Sequence, residues 1–283
     1  MSDRDGTPRA LLRRLQPFVV AARWRFEHID LAPFGVAVPA ANRFDVLASR
    51  SARFLDRLVA LDRRTFGPEG MPMPEWLFVD GSALPGVIAG LGLPAREIPE
   101  DALARLGGAD AADDFMALSM YIAVPARPPQ AWYGHNLASL NALVPELNLR
   151  GLGALTKALG LRVMRCVEQL GATQWASKAL HVHTRFGAME LLSAWTPAHS
   201  DPATLTYRIA LGPRSLDDVL DGLRPRIALQ PTLHVDPRDV RALRTIESRL
   251  EHGERWAIVA PPERQPDGGV RVPVARLADA PTA

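Results

Sequence analysis

The chain has 283 residues, of which 47% are hydrophobic and 23% charged, and its 33 Lys and Arg nearly balance its 31 Asp and Glu. This composition is that of a globular protein and excludes a disordered chain, while a single cysteine excludes a disulfide-stabilised scaffold. The net charge of +2 and the 6% aromatic content also argue against a nucleic-acid surface, because no basic cluster is interleaved with aromatic residues.

The sequence predicts a cytoplasmic protein without a membrane span. No apolar run reaches the roughly 18 residues that cross a bilayer. The first residues are polar and of mixed charge, which does not match a secretory signal. The lone Cys166 cannot form an internal disulfide, which is typical of a reducing compartment.

The first third of the chain shows one helix and several strands. Helical spacing of apolar residues predicts a helix over 54–66, stopped by Gly67 and Pro68. Alternation and β-branched or aromatic content predict short strands over residues 44–47, 76–79 and 86–90. Residues 93–112 are rich in Pro, Ala and acidic residues, so we expect a surface insertion there with a short helix at 101–106.

The middle of the chain carries the clearest helix. Strands are predicted over 116–124 and 135–144, followed by a helix over 151–170. Its apolar stripe would include Cys166, which predicts a buried structural thiol, and its opposite, polar face would include Lys157.

The last third predicts a helical stretch over 177–186, strands over 189–195 and 205–211, and two short helices over 215–223 and 237–250 before a loose end. We expect the tryptophans to line the core or a pocket wall (Trp76, Trp132, Trp175 and Trp195). The element order predicts a mixed α/β fold around one central sheet. It divides into an N-terminal extension 1–40, a core domain 41–212 with an insertion at 93–115, and a C-terminal extension 213–283 packed on the same domain.

A glycine turn precedes the long helix. Pro145 ends a strand, and Gly151 and Gly153 open the helix after a short loop. Backbone N–H groups at a helix N-terminus, with no Cβ in the way, bind phosphate or pyrophosphate, and Arg150 adds a charge. The turn lacks the Gly-Lys-Ser/Thr of a Walker loop and the third glycine of a dinucleotide fingerprint.

The turn resembles the acetyl-CoA-binding motif of the GNAT superfamily of N-acetyltransferases, Val-x-Pro-x-x-Arg/Gln-x-x-Gly-x-Gly/Ala. Leu143 stands at the Val position, Pro145, Gly151 and Gly153 match, and Asn148 replaces Arg/Gln, which removes one positive charge. The resemblance implies a mostly antiparallel mixed sheet flanked by helices. It also implies an acyl-CoA co-substrate held by Leu143, Val144, Asn148, Leu149, Arg150, Gly151, Leu152, Gly153 and Ala154.

A second match lies downstream, where the family has Asn-x-x-Ala-x-x-x-Tyr-x-x-x-Gly-Phe on a helix. Ala179, His183 and Gly187 occupy the Ala, Tyr and Gly positions, and the Asn is missing. The resemblance implies that His183 protonates the departing CoA thiolate. An amine would attack the thioester directly, while a backbone N–H near Leu143 stabilises the oxyanion.

Several histidines and acids outside the two motifs are further candidates for a role in the chemistry. His135, next to Trp132 and Tyr133, is a candidate general base, or else a strand-edge histidine bonded to backbone. On a helix, His181 faces away from His183. On a strand the two would share a face and could bind a metal together with His199, but this set lacks the carboxylate or cysteine that usually completes a metal site. We therefore expect no metal. His199 lies on a loop between the last two strands, close to where the resemblance implies that acceptors bind, or else is a solvated loop histidine. Isolated acids at strand ends are candidate bases, or else are only solvated (Glu75, Asp80 and Glu190).

Two classes of function stay open. The first is an acyltransferase that moves an acyl group from acetyl-CoA, a longer acyl-CoA or an acyl carrier protein to a small amine. The second is a non-catalytic or repurposed member that binds a thioester or a partner, as the departures at Asn148 and His183 suggest. A decarboxylase using His183 and Thr184 is a further variant, and an edge at residues 205–211 would allow a homodimer.

Overall fold

The computed structural model describes residues 7–83, 86–109, 114–127 and 130–278. The chain divides into two compact units. The first comprises Met1–Cys166 and Val219–Gly222, and the second comprises Val167–Asp218 and Leu223–Ala283. The division into 1–40, 41–212 and 213–283 stays a prediction, and parts of its extensions and insertion (residues 1–6, 110–113 and 279–283) lie outside the described residues.

The first unit is built on an antiparallel sheet with one parallel pair. Its strands are β1 (Gln16–Ala21), β2 (Arg43–Asp45), β3 (Val87–Pro94), β4 (Phe115–Arg127) and β5 (Ala131–Ser139). They lie in the order β2-β1-β3-β4-β5, and the parallel pair is β1 with β2. Its helices are α1 (Pro8–Arg14), α2 (Ala52–Phe66), α3 (Trp76–Ala83), α4 (Glu100–Arg105) and α5 (Leu152–Val163).

The second unit is also organised around antiparallel pairs. Its strands are β6 (Glu168–Gln174), β7 (Met189–Ser193), β8 (Thr204–Ala210), β9 (Leu233–Val235), β10 (Trp256–Ile258), β11 (Glu263–Arg264) and β12 (Val270–Arg276). They pair in the order β6-β8-β7-β10-β12, and β9 and β11 both join β12. Its helices are α6 (Leu180–His183) and α8 (Val240–Glu251), while α7 (Ser215–Leu220) runs from this unit into the first. The predicted mixed α/β class with mostly antiparallel strands and flanking helices is confirmed.

Helices cover both faces of the first unit's sheet because side chains alternate along β4. On one face the Ser119 hydroxyl hydrogen-bonds Thr156 of α5, and Tyr121 lies directly against Gly160 of the same helix. On the other face Ile122 pairs with Asn136 of β5, whose amide reaches Asp62 of α2. The sheet core therefore lies between α5 and α2.

The strand predicted over residues 76–79 is wrong, since these residues begin helix α3. The run of aromatic and β-branched residues suggested a strand, but its exposed members are Trp76 and Val79. The buried positions are Leu77, Phe78 and Ser82, which fall on one face of a helix. The residues before the helix, Pro74 and Glu75, provide the first carbonyl acceptors.

The predicted strand over 135–144 and helix over 151–170 have different bounds. β5 ends at Ser139, and the N–H groups of Leu143 and Val144 both turn back to the Leu140 carbonyl. Helix α5 ends at Val163 because Arg165 adopts a left-handed conformation, with φ 51°. Cys166 therefore follows the helix instead of lying on its stripe, although it is buried as expected.

Three further expectations differ from the structure. The helix predicted over 177–186 shortens to the four residues of α6. The expected loose end instead contributes β10 and β12 to the second unit's sheet. The edge predicted at 205–211 is not free, because β8 pairs with β6 on one side and β7 on the other. No helix among the described residues is long and apolar enough to span a membrane.

Candidate functional site

The glycine turn of the first unit has a backbone that few residue types permit. After β5 the chain passes through a 3₁₀ turn, Pro145–Leu147, whose first residue is fixed in φ by the proline ring. Asn148 follows in the left-handed region, with φ 48° and ψ 59°. Gly151, with φ 89°, is left-handed as well and immediately precedes α5. Asn and Gly are the residues that adopt this region most readily, so the local sequence accounts for the turn.

The turn presents a row of backbone N–H groups without acceptors. The N–H groups of Asn148 and Leu152 close local turns onto Pro145 and Leu149, and no side chain caps α5. Within the described residues, nothing accepts a hydrogen bond from the other five N–H groups of this segment (Leu149, Arg150, Gly151, Gly153 and Ala154). N–H groups without acceptors at the positive end of a helix are the donors that bind anions in other proteins, so this segment is a candidate anion site. We call these five N–H groups the amide row.

Neighbouring residues contact the turn that carries the amide row, and one cationic side chain, Arg150, belongs to the turn itself. Arg14 of α1 donates to the Leu147 carbonyl at 2.9 Å, and Pro8 lies 3.8 Å from where a Cβ of Gly151 would be. Arg150 is exposed and has no ion pair with any residue that the structure describes. Its charge is therefore available to an anion on the row.

The two residues at the predicted end of the strand are already hydrogen-bonded. The N–H of Leu143 donates to Leu140 at 2.9 Å, and its carbonyl accepts from Arg105 at 3.1 Å. Val144 is fully buried and also donates to Leu140. Leu143 thus offers no spare backbone donor to an oxyanion in this conformation.

His135, the candidate base, lies at a β-bulge in β5. Consecutive residues Ile122 and Ala123 of β4 pair with Asn136 and Gly134, so His135 is the additional residue between them. Its side chain is exposed and its ring lies 6.0 Å from that of Tyr133 in an edge-on arrangement. Bulges re-aim side chains and take a peptide unit out of the regular ladder, and they are enriched beside active sites.

A buried carboxylate anchors the residue after the bulge. Asp62 of α2 is completely buried and accepts from the Asn136 amide and from the Met73 N–H, the latter at 2.7 Å. Burial raises the pKa of Asp62, and these two hydrogen bonds oppose the rise. The sequence carried a signal for this pair, since Asp62 stands on the otherwise apolar stripe of α2.

His183, the candidate proton donor, lies in the second unit and is only 6% exposed. Its ring is 5.2 Å from the ring of Tyr207, whose hydroxyl accepts from Gln169 at 3.1 Å. Gly171 makes room for that hydroxyl, because a Cβ there would lie 2.7 Å from it. His183 therefore lies in a packed aromatic and polar cluster.

The other histidines and acids that we singled out lie outside such clusters. His181 is largely exposed, and the partial burial of its ring, followed by the charges of Arg224, Arg185 and Arg264, lowers its pKa. His199 is exposed and its Nδ1 lies 3.1 Å from the Asp201 N–H, within its own loop. The residues 180–183 are helical, which removes the strand alternative for a metal site, and no group of three metal ligands exists among the described residues.

Glu190 is unsuited to act as a base. Burial raises its pKa, but hydrogen bonds and charges from Arg208 and Arg255 outweigh burial and lower the pKa overall. Both arginines are within 3.0 Å of its carboxylate. Of the other two acids, Glu75 pairs with Arg63.

Comparisons with known proteins give structural likeness only. No family model matches the chain, and no curated protein does. It is similar to the crystal structure of aminoglycoside 6'-acetyltransferase type Ii, with 13% identity and a TM-score of 0.36 over 60% of this chain and 96% of that one.

Two further structures are similar. One is a GNAT-family acetyltransferase from Desulfovibrio desulfuricans, with 14% identity and a TM-score of 0.36 over 59% of this chain and 96% of that one. The other is nourseothricin acetyltransferase, with 11% identity and a TM-score of 0.28 over 44% of this chain and 63% of that one. Identities of 14% or less and TM-scores of 0.36 or less give no function to this chain, so its site is interpreted from its own geometry.

Proposed function

We propose that this chain transfers an acyl group from an acyl-CoA to the amine of a small molecule. The observation that carries the proposal is the amide row. Five backbone N–H groups without acceptors among the described residues, on a turn of the spacing that the superfamily uses, suit the pyrophosphate of CoA. Arg150 supplies a charge-assisted hydrogen bond to the same group, in place of the charge that Asn148 lacks.

The β-bulge supports placing the acyl-transfer step at β5. His135 is exposed and, within the described residues, its ring makes no hydrogen bond, so its nitrogen is available to accept a proton from the attacking amine, directly or through water. The bulge peptide is the proposed donor to the oxyanion, since the Leu143 N–H is engaged elsewhere. Asn136, held by Asp62, positions the bulge.

The protonation of the thiolate is assigned to His183 by its motif position alone. A histidine is suited to donate a proton near neutral pH. Its burial against Tyr207 favours the second candidate function, a protein that binds a thioester without transferring the acyl group. The two candidates share the amide row and differ in turnover. Acetyl-CoA, longer acyl-CoAs and acyl carrier protein all remain proposed donors, and a cytoplasmic location remains a proposal too.

Calorimetric titration with acetyl-CoA tests the proposal, with Gly151→Asp as the informative variant. Aspartate is one of the few residues with a side chain that enter the left-handed region, at some cost in strain, and its carboxylate would bring a negative charge to the amide row. We expect micromolar binding by the wild type and a loss of about tenfold or more in the variant, because a negative charge replaces the space for pyrophosphate.

The matched control is Gly222→Asp. Gly222 has φ 73°, and a Cβ there would lie 3.6 Å from Pro8, so backbone and neighbour are similar but no helix starts there. Unchanged binding by Gly151→Asp would refute the pyrophosphate assignment. Release of free CoA thiol in the presence of an amine panel then separates the candidates. Transfer supports the enzyme, and tight binding without transfer supports the binding protein.

A further inference from the structure

Arg25 in the first unit is a cation placed between two tryptophans. It lies in a 3₁₀ turn, Arg23–His28, directly after β1. Its guanidinium carbon is 4.8 Å from the ring centroid of Trp24 and 5.3 Å from that of Trp132, the second residue of β5. Among the described residues, no carboxylate pairs with it. The indole faces orient the guanidinium, but they do not neutralise it.

Two N–H donors in this cluster are buried without an acceptor. They are Nε of Arg25 and Nε1 of Trp132, and no described residue accepts from either. Trp132 is only 3% exposed, so its indole N–H lies away from bulk solvent. Burial also lowers the pKa of Arg25. Leaving such donors unpaired is costly, and native proteins rarely do so without a reason.

The chemistry of the cluster selects its ligand. A partner for these groups must carry negative charge and only accept hydrogen bonds. A carboxylate has two oxygens in one plane, which match one guanidinium and one indole N–H. Trp24 forms the open wall, because its side chain is 52% exposed, and its flat face suits a ligand with an aromatic body.

We propose that Arg25 and Trp132 bind the carboxylate of the acceptor, which is therefore an amine that also carries a carboxylate. Trp132 precedes His135 by three residues on the same strand, roughly 10 Å at the usual rise. We expect an extended amino carboxylate of about this length to place its amine near the bulge while its carboxylate meets Arg25. The identity of the ligand as the acceptor rests on the proposed function, whereas binding of the carboxylate does not.

The test compares two probes that differ only in the group that would meet Arg25, 4-(aminomethyl)benzoate with a carboxylate and 4-(aminomethyl)benzamide with a neutral amide. Each is titrated calorimetrically into the full chain with no acyl donor present. We expect the benzoate to bind about tenfold more tightly or better, as a charge-assisted hydrogen bond contributes. Equal affinities of the two probes would overturn the inference.

Three variants and one control test whether Arg25 and Trp132 cause the preference for the benzoate. Arg25→Gln removes the charge, Arg25→Lys keeps the charge but loses the planar donor pair, and Trp132→Phe keeps an aromatic ring but loses the indole N–H and one ring. We expect all three to reduce the preference for the benzoate at least about threefold, and Arg25→Gln to abolish it. The control, Arg23→Gln, changes an exposed arginine in the same turn and should leave the preference intact. A preference that survives Arg25→Gln in a folded variant would refute the site.

The experiments distinguish a failure of this inference from a failure of the proposed function. A benzoate preference that depends on Arg25, without acyl transfer to the benzoate, keeps the carboxylate site and refutes the acceptor assignment. Equal transfer to both probes keeps the acyltransferase and refutes this inference. Transfer that favours the benzoate and falls in Arg25→Gln supports both.

Discussion

Helices α5 and α8 each have twelve residues but begin in opposite ways. The Asp239 side chain caps α8 by accepting from the Ala242 N–H at 3.0 Å. Helix α5 follows a left-handed Gly151 and has no side-chain cap. The two also differ along their length, since ten residues of α5 are buried but only Leu243 and Ile246 of α8.

This difference explains how α5 can leave its first N–H groups for a ligand. An amphipathic helix with one buried stripe depends on its cap and on surface interactions. A helix packed on most sides is stabilised mainly by burial, so the lack of a side-chain cap lowers its stability by only a small fraction. The amide row is therefore a feature that the packing of α5 permits.

The largest expected effect tests the packing of α5. Leu159 is completely buried, and Leu159→Ala should lower the free energy of unfolding by about 3 kcal/mol through lost transfer energy and a cavity. The exposed Arg241→Ala on α8 should change it by less than about 0.5 kcal/mol. Urea unfolding measures both. Similar values for the two would mean that α5 is not held by burial.

The pH dependence of the free energy of unfolding gives a second test of the burial of α5, through Lys157. Burial lowers the pKa of Lys157 well below that of a solvated lysine, with Cys166 opposing the shift. The unfolded chain then binds a proton that the folded chain does not, between the lowered pKa and the usual one. Stability should therefore rise with pH across that window. Lys157→Met should remove this rise, as seen in urea unfolding at several alkaline pH values; an unchanged slope would contradict the assignment.

The smallest effect concerns the caps. Asp239→Ala should destabilise the protein by about 1 kcal/mol, because the Ala242 N–H loses its acceptor. Asp239→Asn keeps a capping oxygen and serves as the control. Asp239→Asn should therefore leave the free energy of unfolding nearly unchanged. A loss from Asp239→Asn as large as that from Asp239→Ala would mean that the side chain of Asp239 does not act as a cap.

Sequence patterns predicted local features and missed those that depend on packing. The spacing of apolar residues located α2, and proline with two glycines located the turn before α5. Periodicity predicts Lys157 on a polar face, because it does not show that most of this helix is buried. The end of α5 was missed because Arg165, a residue with no special left-handed preference, terminates it.

The candidate site was likewise predicted in part. His135 and the turn residues were identified from residue type and motif spacing. The bulge was not, because it exists only in the register of β4 against β5. Arg25 gave no sequence signal either, since its environment is made by Trp132, which lies more than a hundred residues away. Both depend on contacts between distant segments.

The most direct test of the amide row is a set of amide proton–nitrogen NMR spectra recorded with and without CoA. We expect the largest shifts at the amide row, at Leu149, Arg150, Gly151, Gly153 and Ala154, because their N–H groups gain an acceptor. The Ala242 amide, already bound by Asp239, should not move. Shifts that bypass the row while CoA binds elsewhere would contradict the account.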